Sequence, residues 1–153
     1  MPIFFLGAPF LPSFKTKNNL ILKNVFEILK KEGLTSGKFI DLGSGDGRVV
    51  IEFAKNNYEA FGIEINPILI LISKIKIKLN KINNAKIIWG NFWDPNFNDF
   101  DIIYLYQYNL VNNILENKIK KESKLNTIII SNSFEFKNLN LIKKSQGFFI
   151  YKI

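Results

Sequence analysis

The 153-residue sequence contains no cysteine and no histidine, and Arg48 is its only arginine. Without cysteine there is neither a disulfide nor a thiolate nucleophile, and without histidine there is no imidazole base or imidazole metal ligand. No apolar run reaches the roughly 18 residues that a membrane-spanning helix needs. We therefore expect no bound metal, no membrane span and none of the reactions that depend on cysteine or histidine.

Lysine dominates the charge, with 21 basic and 13 acidic side chains giving a net charge of +8. Clustered lysines attract the phosphates of nucleic acids. Here, however, the lysines are dispersed along the whole sequence, and nucleic-acid binders favour arginine for bidentate contacts. Nucleic acid is therefore an open but less favoured partner, and an acidic protein partner is equally open.

Short apolar runs alternate with helical patterns, which is typical of an α/β protein with a parallel sheet. The patterns predict strands at residues 39–42, 60–65, 85–89, 101–106 and 127–131, and helices at residues 18–31, 48–57, 67–80 and 111–122. Residues 139–153 predict two more strands joined at Gln146-Gly147. We expect one α/β domain over residues 1–153, in which residues 1–17 form an ordered N-terminal arm. Its architecture is a Rossmann-like, doubly wound, mostly parallel seven-strand sheet with helices on both faces and a C-terminal antiparallel hairpin.

Three glycines at alternate positions, Gly43, Gly45 and Gly47, lie in "FIDLGSGDGRVVIEFAK" between the first strand and the next helix. In a doubly wound sheet, ligands bind beyond the carboxyl ends of such strands. Without Cβ atoms the backbone turns sharply and approaches a ligand closely, and the following helix points free N–H groups at it. A tight turn alone would account for one or two glycines, so three favour a cofactor loop.

The residues around this loop discriminate between cofactors. A dinucleotide fingerprint would place its third glycine where Arg48 stands, and no lysine follows the glycines as in a P-loop. Asp41 and Asp46 would repel a pyrophosphate but suit an ammonium and a sulfonium. Glu64 ends the second strand, where a carboxylate can accept both hydroxyls of a ribose. These features point to S-adenosylmethionine (SAM).

The glycine loop, "GIEIN" (residues 62–66) and "WGNFWD" (residues 89–94) together resemble the class I, seven-strand SAM-dependent methyltransferases. The resemblance implies SAM as cofactor and S-adenosylhomocysteine as product. It also implies that Asn91, in place of the commoner aspartate, contacts the adenine amino group with Phe92 beside the ring. The cofactor-binding residues that we expect are Pro12, Asp41, Gly43, Ser44, Gly45, Asp46, Gly47, Glu64, Ile65, Asn91 and Phe92.

Three stretches are similar to a small group of protein-lysine methyltransferases, which includes broad-specificity archaeal enzymes and animal mitochondrial relatives. These stretches are "APFLPS", "DLGSGDGRVVIEFAK" and "ISNSFEF", in which Asn132 stands where many relatives carry histidine. The resemblance implies methylation of lysine Nε on protein substrates with exposed lysines and a broad substrate range. "LYQYNL" (residues 105–110) corresponds to the residues that line the lysine channel of these enzymes, but the amino acids differ. Tyr106, Gln107 and Asn109 are the candidate catalytic residues.

Chemistry favours an amine acceptor by elimination, because C5-pyrimidine methylation needs a cysteine nucleophile. Enzymes that methylate exocyclic amines of bases usually carry a [DNS]-P-P-[FYW] segment, whereas residues 106–109 read YQYN. A neutral lysine amine needs only desolvation and alignment. The side chains expected to supply these are Tyr106, Gln107, Tyr108 and Asn109, with Ser131 and Phe134 across the cleft.

Two alternatives stay open at this point: a methyltransferase acting on RNA or a small molecule, and a non-catalytic SAM-binding module. We also expect a cytoplasmic, monomeric protein.

Overall fold

The computed structural model describes residues 15–106 and 112–153, which belong to two compact units divided between Leu34 and Thr35. In the first unit, α1 (Lys15–Lys31) ends where Gly33 adopts a φ of 78°. The N–H groups of Gly33 and Leu34 donate to carbonyls of the last helical turn at 3.1 and 2.9 Å. The helix ends at residue 31 as predicted, because Gly33 adopts the left-handed conformation without strain.

The arm predicted for residues 1–17 lies outside the described residues as far as residue 14, and residues 15–17 already belong to α1. The prediction of one domain over the whole chain stays a prediction.

The second unit is built on a seven-stranded sheet whose order is β3-β2-β1-β4-β5-β7-β6. Strands β1 to β5 pair in parallel, and β7 runs antiparallel to both β5 and β6. This confirms the predicted fold class, including the C-terminal hairpin. The strands are β1 Gly37–Leu42, β2 Tyr58–Glu64, β3 Ala85–Trp89, β4 Ile102–Leu105, β5 Ile128–Asn132, β6 Leu141–Ser145 and β7 Phe148–Lys152. The helices are α2 Arg48–Lys55, α3 Pro67–Leu79 and α4 Asn112–Glu122, with a short 3₁₀ turn at Phe97–Asp99 that the sequence patterns did not predict.

Helices pack on both faces of the sheet, because successive side chains of a strand point to opposite faces. Phe39 of β1 stacks on Phe53 of α2, with ring centroids 3.6 Å apart. The next residue, Ile40, belongs instead to a buried cluster that includes Leu115 and Ile119 of α4. Alternating strand residues therefore hold α2 and α4 on opposite sides.

The strand order reverses beside β1, which has β2 on one side and β4 on the other. In register, Asp41 of β1 lies between Gly62 of β2 and Tyr104 of β4. Connections leave this point in opposite directions, so a crevice forms beyond the carboxyl ends of the strands. The glycine loop follows β1 at this crevice.

A buried carboxylate on α4 fixes the loop that joins β5 to β6. Glu116 accepts hydrogen bonds from the backbone N–H groups of Lys137 and Asn138 at 3.1 and 3.3 Å, and from Asn138 Nδ2 at 2.7 Å. The N–H of Phe136 donates to the hydroxyl of Tyr151 at 2.7 Å. The loop is thereby tied to both α4 and β7.

Replacing Glu116 by alanine is expected to destabilise the protein by about 1–3 kcal/mol, because two backbone N–H groups and the Asn138 amide lose their charged acceptor. The melting temperature should fall accordingly in a thermal unfolding experiment. The matched control is Glu135→Ala, which removes an exposed carboxylate from the same loop. Equal effects of the two substitutions would contradict this role of Glu116.

Candidate active site

The glycine loop leaves β1 in a conformation that glycine adopts most readily. Gly43, Gly45 and Gly47 have φ angles of 82°, 54° and 77°, which for other residues cost roughly 1–2 kcal/mol each. The N–H groups of Gly43 and Ser44 both donate to the carbonyl of Ile63 in β2, at 2.9 and 3.0 Å. The loop therefore turns sharply while staying attached to the neighbouring strand.

The glycines at 45 and 47 serve different purposes. A Cβ built on Gly45 would meet nothing within 4 Å, so this part of the backbone faces open space. A Cβ on Gly47 would lie 2.9 Å from Cβ of Ser73 in α3. Gly45 thus leaves open space beside the loop, whereas Gly47 is required by the close approach of α3. The ligand contact predicted for Gly45 stays a prediction.

Ser73 fastens α3 to the loop. Its hydroxyl can donate to the carbonyl of Gly45, at 2.9 Å, or to that of Leu69 one helical turn back, at 2.8 Å. Ser73 is fully buried. The sequence analysis missed it, although a single serine in the aliphatic and lysine-rich α3 is a signal that could have been used.

The carboxylate of Glu64, at the end of β2, accepts hydrogen bonds from three backbone N–H groups. Its Oε1 accepts from the N–H groups of Ile65 and Asn66, both at 2.9 Å, and its Oε2 accepts from the N–H of Gly45 at 2.8 Å. A carboxylate offers about four acceptor positions, so one remains, on Oε2. One position can accept one ribose hydroxyl, whereas the sequence interpretation had Glu64 accepting both hydroxyls of a ribose.

Asp41 is a buried carboxylate at the centre of the crevice. Burial, with the charges of Glu64 and Asp46 adding to it, raises the pKa of Asp41 well above its ordinary value. Within the described part of the chain, its side chain makes no hydrogen bond or ion pair. Asp41 therefore offers an unused acceptor, in a region of negative potential that suits a cationic ligand group.

Asp46 is already paired. Its carboxylate forms ion pairs with Arg48, at 2.9 Å, and with Lys76 of α3. Although partial burial acts to raise it, these partners bring the pKa of Asp46 below its ordinary value. Its charge is compensated, so the attraction for a sulfonium that the sequence assigned to both aspartates falls mainly to Asp41.

Asn91 and Phe92 follow β3 in a tight turn. Oδ1 of Asn91 accepts from the N–H of Trp93 at 3.2 Å, and the Phe92 ring lies 4.6 Å from that of Trp93. The N–H of Gly90 donates to the carbonyl of Glu64 at 3.0 Å. The turn is thus attached to the end of β2, and Ile65 is exposed there. The structure brings together Glu64, Ile65 and this turn, as a site for adenine and ribose requires.

Ser44 provides an independent indication of a ligand. Its hydroxyl is buried and has no hydrogen-bond partner among the described residues. Buried polar groups are nearly always satisfied, so such a group is a signal in itself. Together with the open space at Gly45 and the free acceptors of Asp41 and Glu64, it fits a small, polar and partly cationic cofactor such as SAM.

The crevice continues toward the ends of β4 and β5. Tyr106 is half-exposed, and its ring lies 6.3 Å from that of Phe134. Ser131 is buried, and its hydroxyl donates to the carbonyl of Phe134. The structure therefore places Tyr106, Ser131 and Phe134 together, whereas Pro12, Gln107, Tyr108 and Asn109 lie outside the described residues.

Tyr104 is a second site residue that the sequence analysis did not identify. Its hydroxyl accepts from Nδ2 of Asn132 at 3.0 Å. Burial, reinforced by the charge of Asp41, raises the pKa of Tyr104 above its ordinary value despite this bond. The phenol stays neutral at physiological pH and cannot act as a base there. The sequence could have indicated this residue, because Tyr104 is the one polar side chain in the apolar stretch "IIYL".

Alanine at the two loop glycines should have different effects on stability. Gly45→Ala meets only the strain of a positive φ, about 1–2 kcal/mol. Gly47→Ala adds an overlap with Ser73, for which overpacking typically costs about 1–3 kcal/mol more. Chemical denaturation measures both. In the double variant Gly47→Ala/Ser73→Gly the overlap is gone, so its destabilisation should be smaller than the sum of the single effects. Strict additivity would contradict the contact.

Asp41→Asn is expected to stabilise the ligand-free protein at pH 7. The pKa of Asp41 is raised on folding, so the folded state binds more protons than the unfolded state above about pH 4. The contribution of Asp41 to stability therefore declines as pH rises through that window, and asparagine removes the decline. We expect a higher melting temperature at pH 7, by about 2–4 °C for each kcal/mol of destabilisation that the substitution removes.

The exposed Asp99→Asn serves as the control for Asp41→Asn. A lower melting temperature for Asp41→Asn at pH 7, relative to this control, would contradict a destabilising charge.

Comparison with known proteins agrees with this geometry. Residues 41–143 match the family described as the ANTKMT methyltransferase domain. A protein-lysine N-methyltransferase of Saccharolobus islandicus is 35% identical over 113 residues, which cover 70% of this chain and 70% of that protein. A human lysine N-methyltransferase named for the ATP synthase is 30% identical over 129 residues, which cover 84% of this chain. The matched part is 52% of the human protein, so the chain spans about half the length of that relative.

A solved structure shares the fold. The RNA methyltransferase of Salinibacter ruber in complex with S-adenosyl-L-homocysteine aligns with a TM-score of 0.77 and covers 92% of this chain and 91% of its own. At 23% identity this likeness concerns the fold alone. The family match, by contrast, extends over most of the chain and includes the glycine loop from Asp41 onward, the acidic end of β2 and the turn after β3. The chain therefore belongs to the ANTKMT methyltransferase domain family.

Proposed function

We propose that the protein is a SAM-dependent protein-lysine N-methyltransferase that transfers a methyl group to lysine Nε. The observation that carries the proposal is the pairing of a SAM-type crevice with an aromatic-walled opening formed by Tyr106 and Phe134. Two of the relatives described above are named as lysine methyltransferases. Both the site and these names support the same acceptor.

The described residues have distinct tasks toward the cofactor. When bound, SAM supplies an electrophilic methyl group on a sulfonium. The glycine loop leaves space for the cofactor backbone at Gly45, and Glu64 offers its remaining acceptor position to a ribose hydroxyl. Asp41 would face the cationic part of the cofactor, while Asn91 and Phe92 would border the adenine. Because Glu64 is held by three backbone donors, these groups are in position before the cofactor arrives.

The acceptor amine must reach the crevice neutral. The chain has no histidine or cysteine, and the Tyr104 phenol is held neutral and hydrogen-bonded to Asn132. The described aromatic groups can desolvate and orient an amine but cannot deprotonate it at pH 7. The described residues at the opening, Tyr106, Ser131 and Phe134, include no base, so we expect lysine to lose its proton to solvent before transfer, and alignment with the methyl group would supply the remaining catalysis.

Protein substrates with exposed lysines suit the half-exposed Tyr106 at the mouth of the site. The broad substrate range stays a prediction from the sequence. Cytoplasmic location and a monomeric state stay predictions from the sequence.

The test is to incubate the protein with methyl-labelled SAM and a cell extract, and to treat separate samples with protease and nuclease. Label should be protease-sensitive, and mass spectrometry should locate it on lysine Nε. Log rate should rise with a slope near one between about pH 7 and 9, because free lysine has a pKa of about 10.4. Nuclease-sensitive label without methyl-lysine would replace the proposal by an RNA methyltransferase.

Variants at the opening separate acceptor positioning from cofactor binding. Tyr106→Ala should lower turnover while calorimetric SAM affinity stays unchanged, because the ring contacts the acceptor side. Tyr106→Phe is the matched control that keeps the ring and removes the hydroxyl, and it should retain most of the turnover. If the alanine variant loses SAM affinity in proportion to turnover, Tyr106 belongs to the cofactor pocket instead.

A further inference from the structure

Helix α3 carries an apolar stripe on its outward face. Ile68, Leu71, Ile75 and Leu79 are 67%, 59%, 49% and 76% exposed, and their spacing of three, four and four residues aligns them along one side of the helix. We call these four residues the outer stripe. The opposite face of α3 buries Ile70 and Ser73 against the sheet and the glycine loop. Four exposed aliphatic side chains in a line exceed the scattered exposure that is normal for a soluble surface.

Positive charge lies along one side of this stripe. Lys74 and Lys78 of α3, together with Lys81 and Lys86, line a groove between α3 and β3. All four side chains are exposed. No acidic residue occurs between Ile65 and Trp93 in the sequence. None of these four lysines forms an ion pair among the described residues, so the surface combines aliphatic side chains with unpaired lysines.

Trp89 adds an exposed aromatic ring at the end of β3, the edge strand that forms the other wall of this groove. Its side chain is 73% exposed, and it pairs in register with Glu64 at the cofactor end of β2. Tryptophan is enriched where an apolar phase meets water, because its ring has an apolar body and a polar N–H.

The charge of this surface decides among its possible occupants. A second copy would place the same lysines opposite one another, which is repulsive. Residues 1–14 contain no acidic side chain and so do not complement the lysines either. The outer stripe has no polar group that could form directional hydrogen bonds with a specific protein surface. Lysine binds anions as a point charge, without fixed geometry. These features match an anionic lipid surface.

We propose that the outer stripe of α3 docks on anionic membranes, with its aliphatic side chains in the acyl region and the groove lysines against phosphate headgroups. In the described part of the chain, no helix has the length and apolar character to cross a bilayer. The attachment is therefore peripheral, through apolar burial and attraction to the anionic surface.

The test is flotation of the purified chain with vesicles of phosphatidylcholine alone and of phosphatidylcholine mixed with phosphatidylglycerol. The protein should float with the mixed vesicles and not with the neutral ones, and added salt should weaken the association. The variant L71E/I75E should lower the partition coefficient by roughly tenfold or more. K74E/K78E should have a comparable effect. If L71E/I75E alters the thermal unfolding curve, L71S/I75S tests the stripe with smaller polar side chains.

Matched controls distinguish the outer stripe from general charge and hydrophobicity. L125E introduces the same group at a residue that is 80% exposed elsewhere, and K121E/K143E makes the same charge change on other elements. Both should keep wild-type flotation. Absence of flotation with the anionic vesicles would overturn the proposal, and so would an equal loss in the controls, which would reduce the binding to the net charge of the protein. Selective binding of an acidic protein by the same face, without vesicle binding, would also overturn it.

Discussion

The three backbone N–H groups that converge on Glu64 set the geometry of the crevice. They come from the glycine loop and from the first residues after β2, so one carboxylate joins two separate connections. Each of these donors belongs to a peptide that would otherwise lack a partner at the end of a strand. Hydrogen bonds to a charged acceptor are stronger than neutral ones, which makes this junction stiff. The start of α3, the path of the glycine loop and the placement of the turn after β3 all depend on it.

The two aspartates of the crevice differ in their partners. The paired Asp46 contributes to stability, whereas the unpaired Asp41 is available to a ligand. Asp46 has its charge balanced by Arg48 and Lys76, so it contributes to holding the loop against α3. Asp41 has no such partner among the described residues and lies buried near Glu64. A buried charge without a partner opposes folding, and such a group is retained where a ligand supplies the compensation. The unsatisfied hydroxyl of Ser44 fits the same interpretation.

The sequence predicted the elements whose signal is local. Short apolar runs that alternate with helical patterns located β1 to β5, and the turn signal at Gln146-Gly147 located β6 and β7. Both signals depend on neighbouring residues alone. The position of the glycine loop after β1 and that of Glu64 at the end of β2 were located for the same reason. The purpose of Gly47, the role of Ser73 and the pairing of Asp46 with Lys76 were not predicted, since they depend on how closely α3 approaches the loop. Glu116 was likewise invisible in sequence, because its donors lie more than twenty residues away.

The bond between Ser73 and Gly45 has a consequence for how α3 can move. Because the Ser73 hydroxyl lies within hydrogen-bond distance of the Gly45 carbonyl, and the Ser73 Cβ fills the space that a Cβ at position 47 would need, a displacement of α3 would displace the loop as well. A contact that favoured one position of the helix at its outer face would then change the affinity of the loop for its ligand, and by thermodynamic reciprocity the ligand would change the outer contact by the same factor.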